Sequence, residues 1–225
     1  MAHRQLQQYV DQQGRPLSEF SGSTCTAALL DSISGTAICA HVGDSAFALI
    51  GGGGRVLFRS RDHVVDEHIE AIVVAKGGEI SEMTLSGVTA RRVCLRGSPF
   101  PGLAMARALG DEVAQSLGVS WEPEVVMGLP MPPDATILIA SDGVWEKMPI
   151  DDVAACLDDI EDAQVAAYEL VESARRLWPE GKDIDDITAV VAKVSDLVTC
   201  IPTSPTSRTP EPMRANPSVT RMVTC

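Results

Sequence analysis

Residues 136–143 read TILIASDG: Thr136, Ile137, Leu138, Ile139 and Ala140, then Ser141, Asp142 and Gly143. The apolar run is too short for a helix and lies between Asp134 and the Ser-Asp-Gly triplet. A short run without polar alternation is the mark of a strand covered on both faces that ends in a turn. Upstream, residues 24–30 and 36–42 are two β-competent runs joined by the polar stretch 32–35, a hairpin signature. Residues 46–50 and 55–58 meet across Gly51, Gly52, Gly53 and Gly54, which predicts a second hairpin with a glycine turn.

Downstream, residues 150–160 and 161–178 read as two helices. In the second, Ala163, Ala167, Leu170, Ala174, Leu177 and Trp178 form an apolar stripe suited to packing on a sheet, and Pro179 and Gly181 stop it. Residues 187–194, ITAVVAKV, are the last expected strand. Residues 65–76 predict a short amphipathic helix closed by Gly77 and Gly78. Residues 102–117 predict a turn and then a helix, and residues 5–12 the end of a helix poor in apolar positions. Beyond Asp196 the chain carries Pro202, Pro205, Pro210, Pro212 and Pro217 among Ser and Thr, a composition with too little apolar surface to offset ordering. The expected organisation is therefore a remnant helix and linker over 1–20, one domain over 21–195 and a flexible tail over 196–225.

The 225 residues are 45% hydrophobic and 22% charged, which suits one globular domain plus a tail. Asp and Glu number 31 against 18 Lys and Arg, a formal charge of −13, and this excludes the basic footprint that nucleic-acid binding needs. Between Asp134 and Asp186 there are 15 carboxylates against Lys147, Arg175, Arg176 and Lys182, a surplus that either solvates helices or collects round a cation. Residues 1–13, MAHRQLQQYVDQQ, lack the apolar core of a secretory signal, and no run reaches the length of a membrane span. A soluble monomer of cytoplasm or nucleus, with no membrane partner, is expected. The six scattered cysteines include no C-x-x-C pair and no C-x5-R loop, so they read as reduced packing residues.

Three acidic segments adjoin apolar runs: Asp44 in HVGDS, Asp142 in IASDG, and Asp185 with Asp186 in DIDDITAVV. If the last strand runs antiparallel to the others, all of them reach the same edge of the fold. Carboxylates gathered there repel one another unless they hold protons or share a cation, and all-oxygen ligands suit Mg²⁺ or Mn²⁺. Such ions activate water and clamp phosphoryl oxygens, which points to phosphate hydrolysis. Singly, each Asp reads as an ordinary turn residue; only their joint order carries the inference. His63 and His68 read as structural. His41 lies close to Asp44 with no partner evident in the sequence. Residues 51–54 lack the Gly-Lys-Ser/Thr ending of a phosphate loop. Arg91 and Arg92 read either as a substrate-recruiting pair or as a solvated strand end.

In order along the chain stand SGST (21–24), VGDS (42–45), Asp62-His63 with Glu67 and Gly77-Gly78, GLAMARALGD (102–111), EPEV (122–125), ILIASDGVW (137–145) and DDITAVV (185–191). This series resembles the metal-dependent serine/threonine protein phosphatases, the PPM or type 2C family. The resemblance implies an α+β fold, an antiparallel β-sandwich of two sheets flanked by helices. It also implies two Mg²⁺ or Mn²⁺ ions with a weaker third, a metal-bridging water as nucleophile, and phosphorylated proteins as substrates. Carried over by motif, Asp142 and Asp185 are metal ligands and Asp44 belongs to the third-metal position. Glu146 stands where the family often has Asp, which leaves its part in that third site open; Asp186 stands where Asn is frequent. The family's N-terminal Asp-Gly-His-Gly block has no counterpart in this sequence. The chain is therefore expected to lack a bridging ligand and the opening strands of the sandwich, and to show weak or no turnover alone. The alternative is an impaired phosphatase-like module that acts by protein binding.

Overall fold

The computed structural model describes residues 2–85, 88–179, 184–198 and 221–224. In chain order these form α1 (Ala2–Leu6), β1 (Gly22–Ser23), β2 (Cys25–Asp31), β3 (Thr36–Val42), β4 (Ala46–Gly51), β5 (Arg55–Arg59), α2 (Glu67–Ala75), β6 (Gly78–Leu85), β7 (Val88–Leu95), β8 (Pro101–Leu103), β9 (Leu109–Gly110), α3 (Glu112–Ser116), β10 (Glu124–Pro130), β11 (Thr136–Ala140), α4 (Asp142–Trp145), α5 (Ile150–Leu157), α6 (Ala163–Leu177), β12 (Ala189–Lys193), α7 (Val194–Val198) and β13 (Arg221–Thr224). Short 3-10 turns cover Leu17–Glu19 and Gly52–Gly54.

Two four-stranded antiparallel sheets, ordered β10-β3-β2-β13 and β12-β11-β4-β5, face each other. Alternation decides the first: along β2 and β3, Ala28, Leu30, Ala37 and Cys39 are buried while their neighbours are half-exposed. They pack on Phe47, Leu49, Ile137 and Ile139 from β4 and β11, which makes the core of the sandwich. The opposite face of the second sheet presents Ala48, Ile50, Leu138 and Ala140 to Val144, Val153, Leu157, Ala166 and Leu170 of α4, α5 and α6. Every residue of β11 is buried because both its faces are covered, and full burial of side chains such as Leu138 and Ile139 stabilises the fold by about 1.5–3 kcal/mol each. The helices thus flank one face of the sandwich, and the small Ala46, Ala48 and Ala140 admit them.

A three-stranded sheet β6-β7-β8 lies beside the sandwich. It packs with α2 and α3 around Val65, Val73, Val93, Ala114 and Leu117. The side chain of Asp66 caps α2 by accepting from the Ile69 amide, and that of Asp162 caps α6 through Val165. Gly77, at φ +86°, closes α2.

Both expected hairpins form, β2 with β3 and β4 with β5. Other expectations need correction. The first helix covers Ala2–Leu6 instead of 5–12, because residues 7–16 make a turn and a bridge between Val10 and Pro16. The last expected strand is shorter, Ala189–Lys193, since Val194 opens α7. The β6–β7 hairpin and β10 fall where no strand is evident from periodicity. Of the expected tail, residues 199–220 and Cys225 lie outside the described residues; within it, Arg221–Thr224 pairs antiparallel with β2. No described helix is long and apolar enough to cross a membrane.

Candidate metal centre

The register of the second sheet builds the site. Ala140, the last residue of β11, pairs with Ala46 of β4 on one side and Ala189 of β12 on the other, both antiparallel. The C-terminal end of one strand therefore meets the N-terminal ends of two others. Asp44 precedes this row, Asp142 follows it, and Asp185 and Asp186 lead into it.

The Ser-Asp-Gly triplet is not a simple turn. It opens the one-turn helix α4, in which the Glu146 amide donates to the Asp142 carbonyl at 2.8 Å. Residues four apart share a helix face, so Glu146 joins Asp142. Asp142, Glu146 and Asp185 each offer a carboxylate oxygen, and these oxygens lie within 4.8 Å of one another. The backbone locks the arrangement. Ser141 Oγ donates to the Asp186 carbonyl and accepts from the Thr188 amide, each at 3.0 Å, while the Ser141 amide donates to the Thr188 carbonyl. Trp178 Nε1 donates to the Gly143 carbonyl at 2.8 Å, and Trp145 Nε1 to that of Ala140 at 2.9 Å. Asp186 contributes its carbonyl to this clamp and its exposed side chain stands outside the carboxylate group.

The acids perturb one another. Burial, and after it the charge of Asp185, pushes the Asp142 carboxyl above the usual range; burial and then Asp142 do the same to Glu146. Asp44 is pushed up to about 6, first by burial and then by Asp142, with Asp62 and Glu146 adding to it. Asp44 lies outside the 4.8 Å group yet within its field. It occupies the corner from β3 to β4, after Gly43 at φ +103°, where a Cβ would run into the Thr24 side chain. Thr24 and Ser45 hydroxyls share a 2.8 Å hydrogen bond, and Thr26 Oγ1 donates to the Ser45 carbonyl at 2.6 Å.

Four further side chains, Asp62, Arg59, His41 and His63, make contacts that the sequence does not disclose. Asp62 raises both Asp44 and Asp142 by its charge, while its own two carboxylate oxygens accept from Arg59 Nη2 at 3.0 Å. The Arg59 guanidinium lies 4.7 Å over the Trp145 ring. His41 and His63, both buried, stack with ring centroids 4.4 Å apart. The available signal was phase: His41 follows Ala37 and Cys39 on the inward side of β3. His68 is exposed on α2, as expected. Of the two adjacent arginines, Arg91 is tied to Glu70 and the Val65 carbonyl. Arg92 donates to the Gly102 carbonyl at 2.8 Å, and its charge is felt weakly at Glu146.

The protein phosphatase 2C family model matches residues 2–177. The chain belongs to the protein phosphatase 2C family. Probable protein phosphatase 2C 61 of Arabidopsis thaliana is 32% identical over 185 residues, 78% of this chain and 56% of the relative. Probable protein phosphatase 2C 3 of Oryza sativa subsp. japonica is 31% identical over 206 residues, 90% of this chain and 39% of its own. The chain thus spans about half or less of the length of these relatives. Among solved structures, a serine-threonine phosphatase 2C from Toxoplasma gondii aligns with TM-score 0.59 at 22% identity, over 77% of this chain and 58% of the other. A C. elegans sex determining protein aligns with TM-score 0.56 at 23% identity, over 79% and 42%. At such identity these likenesses bear on the fold, and they agree with the α+β sandwich of the protein phosphatase 2C family.

Proposed function

We propose that the acidic edge of this protein phosphatase 2C chain binds Mg²⁺ or Mn²⁺ and serves the hydrolysis of phosphoserine and phosphothreonine in proteins. The observation that carries this reading is the convergence of Asp142, Glu146 and Asp185 within 4.8 Å. The donor set is all oxygen and all anionic, which fits a hard divalent cation and disfavours softer metals. Burial first, and then a neighbouring carboxylate, raise the Asp142 and Glu146 carboxyls, and a bound cation offsets both costs of holding these charges. Asp142 and Asp185 are proposed to hold the principal ions, and Glu146 with Asp44 the weaker one. When bound, such ions supply a water nucleophile near neutral pH and neutralise phosphoryl oxygens.

The chain's own residues orient these ligands. Ser141 ties the Asp142 segment to the Asp185 segment, Trp178 holds Gly143, and the β3–β4 corner aims Asp44. Arg92, on β7 and held by the Gly102 carbonyl, contributes a positive charge that is felt at Glu146. Arg59 is held by Asp62 and stacked on Trp145, which keeps a second guanidinium beside the acids.

A Mn²⁺ titration followed by calorimetry tests the reading, together with phosphate release from a phosphothreonine peptide. The expected result is saturable binding and slow Mn²⁺-dependent release, both lost in Asp142→Asn. Binding that Asp142→Asn leaves intact would overturn it.

A further inference from the structure

The sandwich interior turns polar as it nears the acidic edge. His41 is 1% exposed and His63 8% exposed, and Glu124 stands directly opposite His41 across β3 and β10. One atom from each of His41, His63 and Glu124 lies within 4.8 Å of the others, at first sight a second metal site of two imidazoles and a carboxylate. A single hydrogen bond decides against that. The Gly43 amide donates to His63 Nδ1 at 3.0 Å, so Nδ1 carries the lone pair. In the neutral ring the proton then sits on Nε2, the nitrogen facing Glu124 Oε2 at 3.6 Å. A metal-ligating histidine shows the reverse pattern, with its second nitrogen donating to an acceptor.

The same hydrogen bond assigns another task. His63 also donates its own amide to the Gly43 carbonyl at 3.1 Å, so one residue engages both polar backbone atoms of Gly43. Gly43 is the left-handed residue immediately before Asp44. His41, stacked on the imidazole, restrains the ring, and the Glu124 carboxylate favours the proton on Nε2. Burial keeps His63 neutral, down to about 4.

We propose that His63 is a positioning residue for the cation site, its neutral Nε2–H imidazole fixing Gly43 and so the direction in which Asp44 offers its carboxylate. This rests on the reading that the acidic edge binds divalent cations. It assigns the His41–His63–Glu124 cluster to orientation of the Asp44 corner instead of to a metal of its own.

Two measurements test it. A long-range ¹H–¹⁵N correlation spectrum of the metal-free chain at neutral pH is expected to place the His63 proton on Nε2; a proton on Nδ1 overturns the proposal. Calorimetric Mn²⁺ titration then compares wild type, His63→Ala and His63→Asn, with folding checked by circular dichroism. The Asn Oδ1 stands near the position of Nδ1 and accepts from Gly43. The expected result is ~10-fold weaker binding in His63→Ala, with His63→Asn within about 3-fold of wild type. Wild-type affinity in His63→Ala, or equal losses in both variants, sinks the positioning role while the cation reading stands. Absence of Mn²⁺ binding by the wild type sinks the cation reading, and the proposal with it.

Discussion

Trp178 Nε1 reaches the carbonyl of Gly143 at 2.8 Å and so joins the end of α6 to the residue after Asp142. The indole is 2% exposed, and Lys147 Nζ lies 3.9 Å from the ring centroid on its face. Trp178→Phe preserves an aromatic face and removes the donor, leaving a buried carbonyl without that partner. The expected loss is about 1–3 kcal/mol of stability, read as a lower urea midpoint at unchanged slope, with weaker Mn²⁺ binding. Unchanged values in both measurements contradict this coupling.

Gly143 is tight for a steric reason. A Cβ there would come within 2.5 Å of the Asp186 carbonyl oxygen. Alanine is the better helix former by roughly 1 kcal/mol, so α4 taken alone predicts stabilisation by Gly143→Ala. The clash with the backbone that leads into β12, which yields less readily than a side chain, should dominate and destabilise by about 1–3 kcal/mol. Thermal denaturation reads the sign directly.

On the proposed reading, Asp44 makes cation binding depend on pH. Its folded pKa lies near 6 against an ordinary value of 3.8, so the metal-free folded chain binds more protons than the unfolded chain between those values. The metal-free protein therefore gains stability as pH falls from above 6 toward 4, by up to about 3 kcal/mol from this group. Mn²⁺ competes with the same proton, and its affinity should fall as pH drops below 6. Asp44→Asn is expected to flatten both profiles, measured by denaturant titration and calorimetry across pH 5–8.

His63 has the opposite sign. Burial, then the charge of His41, lowers it from 6.5 to about 4, so the unfolded chain binds the extra proton. Its contribution is fully present above pH 6.5 and is lost as pH falls through 4, an effect of about 3 kcal/mol. The stability difference between wild type and His63→Asn should shrink over that window. A difference independent of pH would show that burial does not perturb this imidazole.

Much of the architecture is local and was legible. Residues 136–140 announce a strand covered on both faces, residues 24–42 and 46–58 announce hairpins, and the stripe of 163–178 announces α6. The β6–β7 hairpin was not legible, because its residues are half-exposed or exposed over much of their length and carry weak alternation. The triplet at 141–143 suits a turn by composition. It becomes α4 because Val144 packs into the core under α5 and α6, and Trp145 and Trp178 satisfy neighbouring carbonyls.

The order of motifs and the presence of Asp44, Asp142 and Asp185 at strand ends belong to the sequence alone, since apolar periodicity and turn chemistry act between near neighbours. Tertiary structure decided the rest. Glu146 enters the site only because α4 forms, and Asp185 only because β12 runs antiparallel to β11 with Ala189 opposite Ala140. His63 receives its tautomer from the Gly43 amide. Charges and hydrogen bonds act through space over a few ångströms, and the distances that set them arise from strand register and packing between segments remote in the chain.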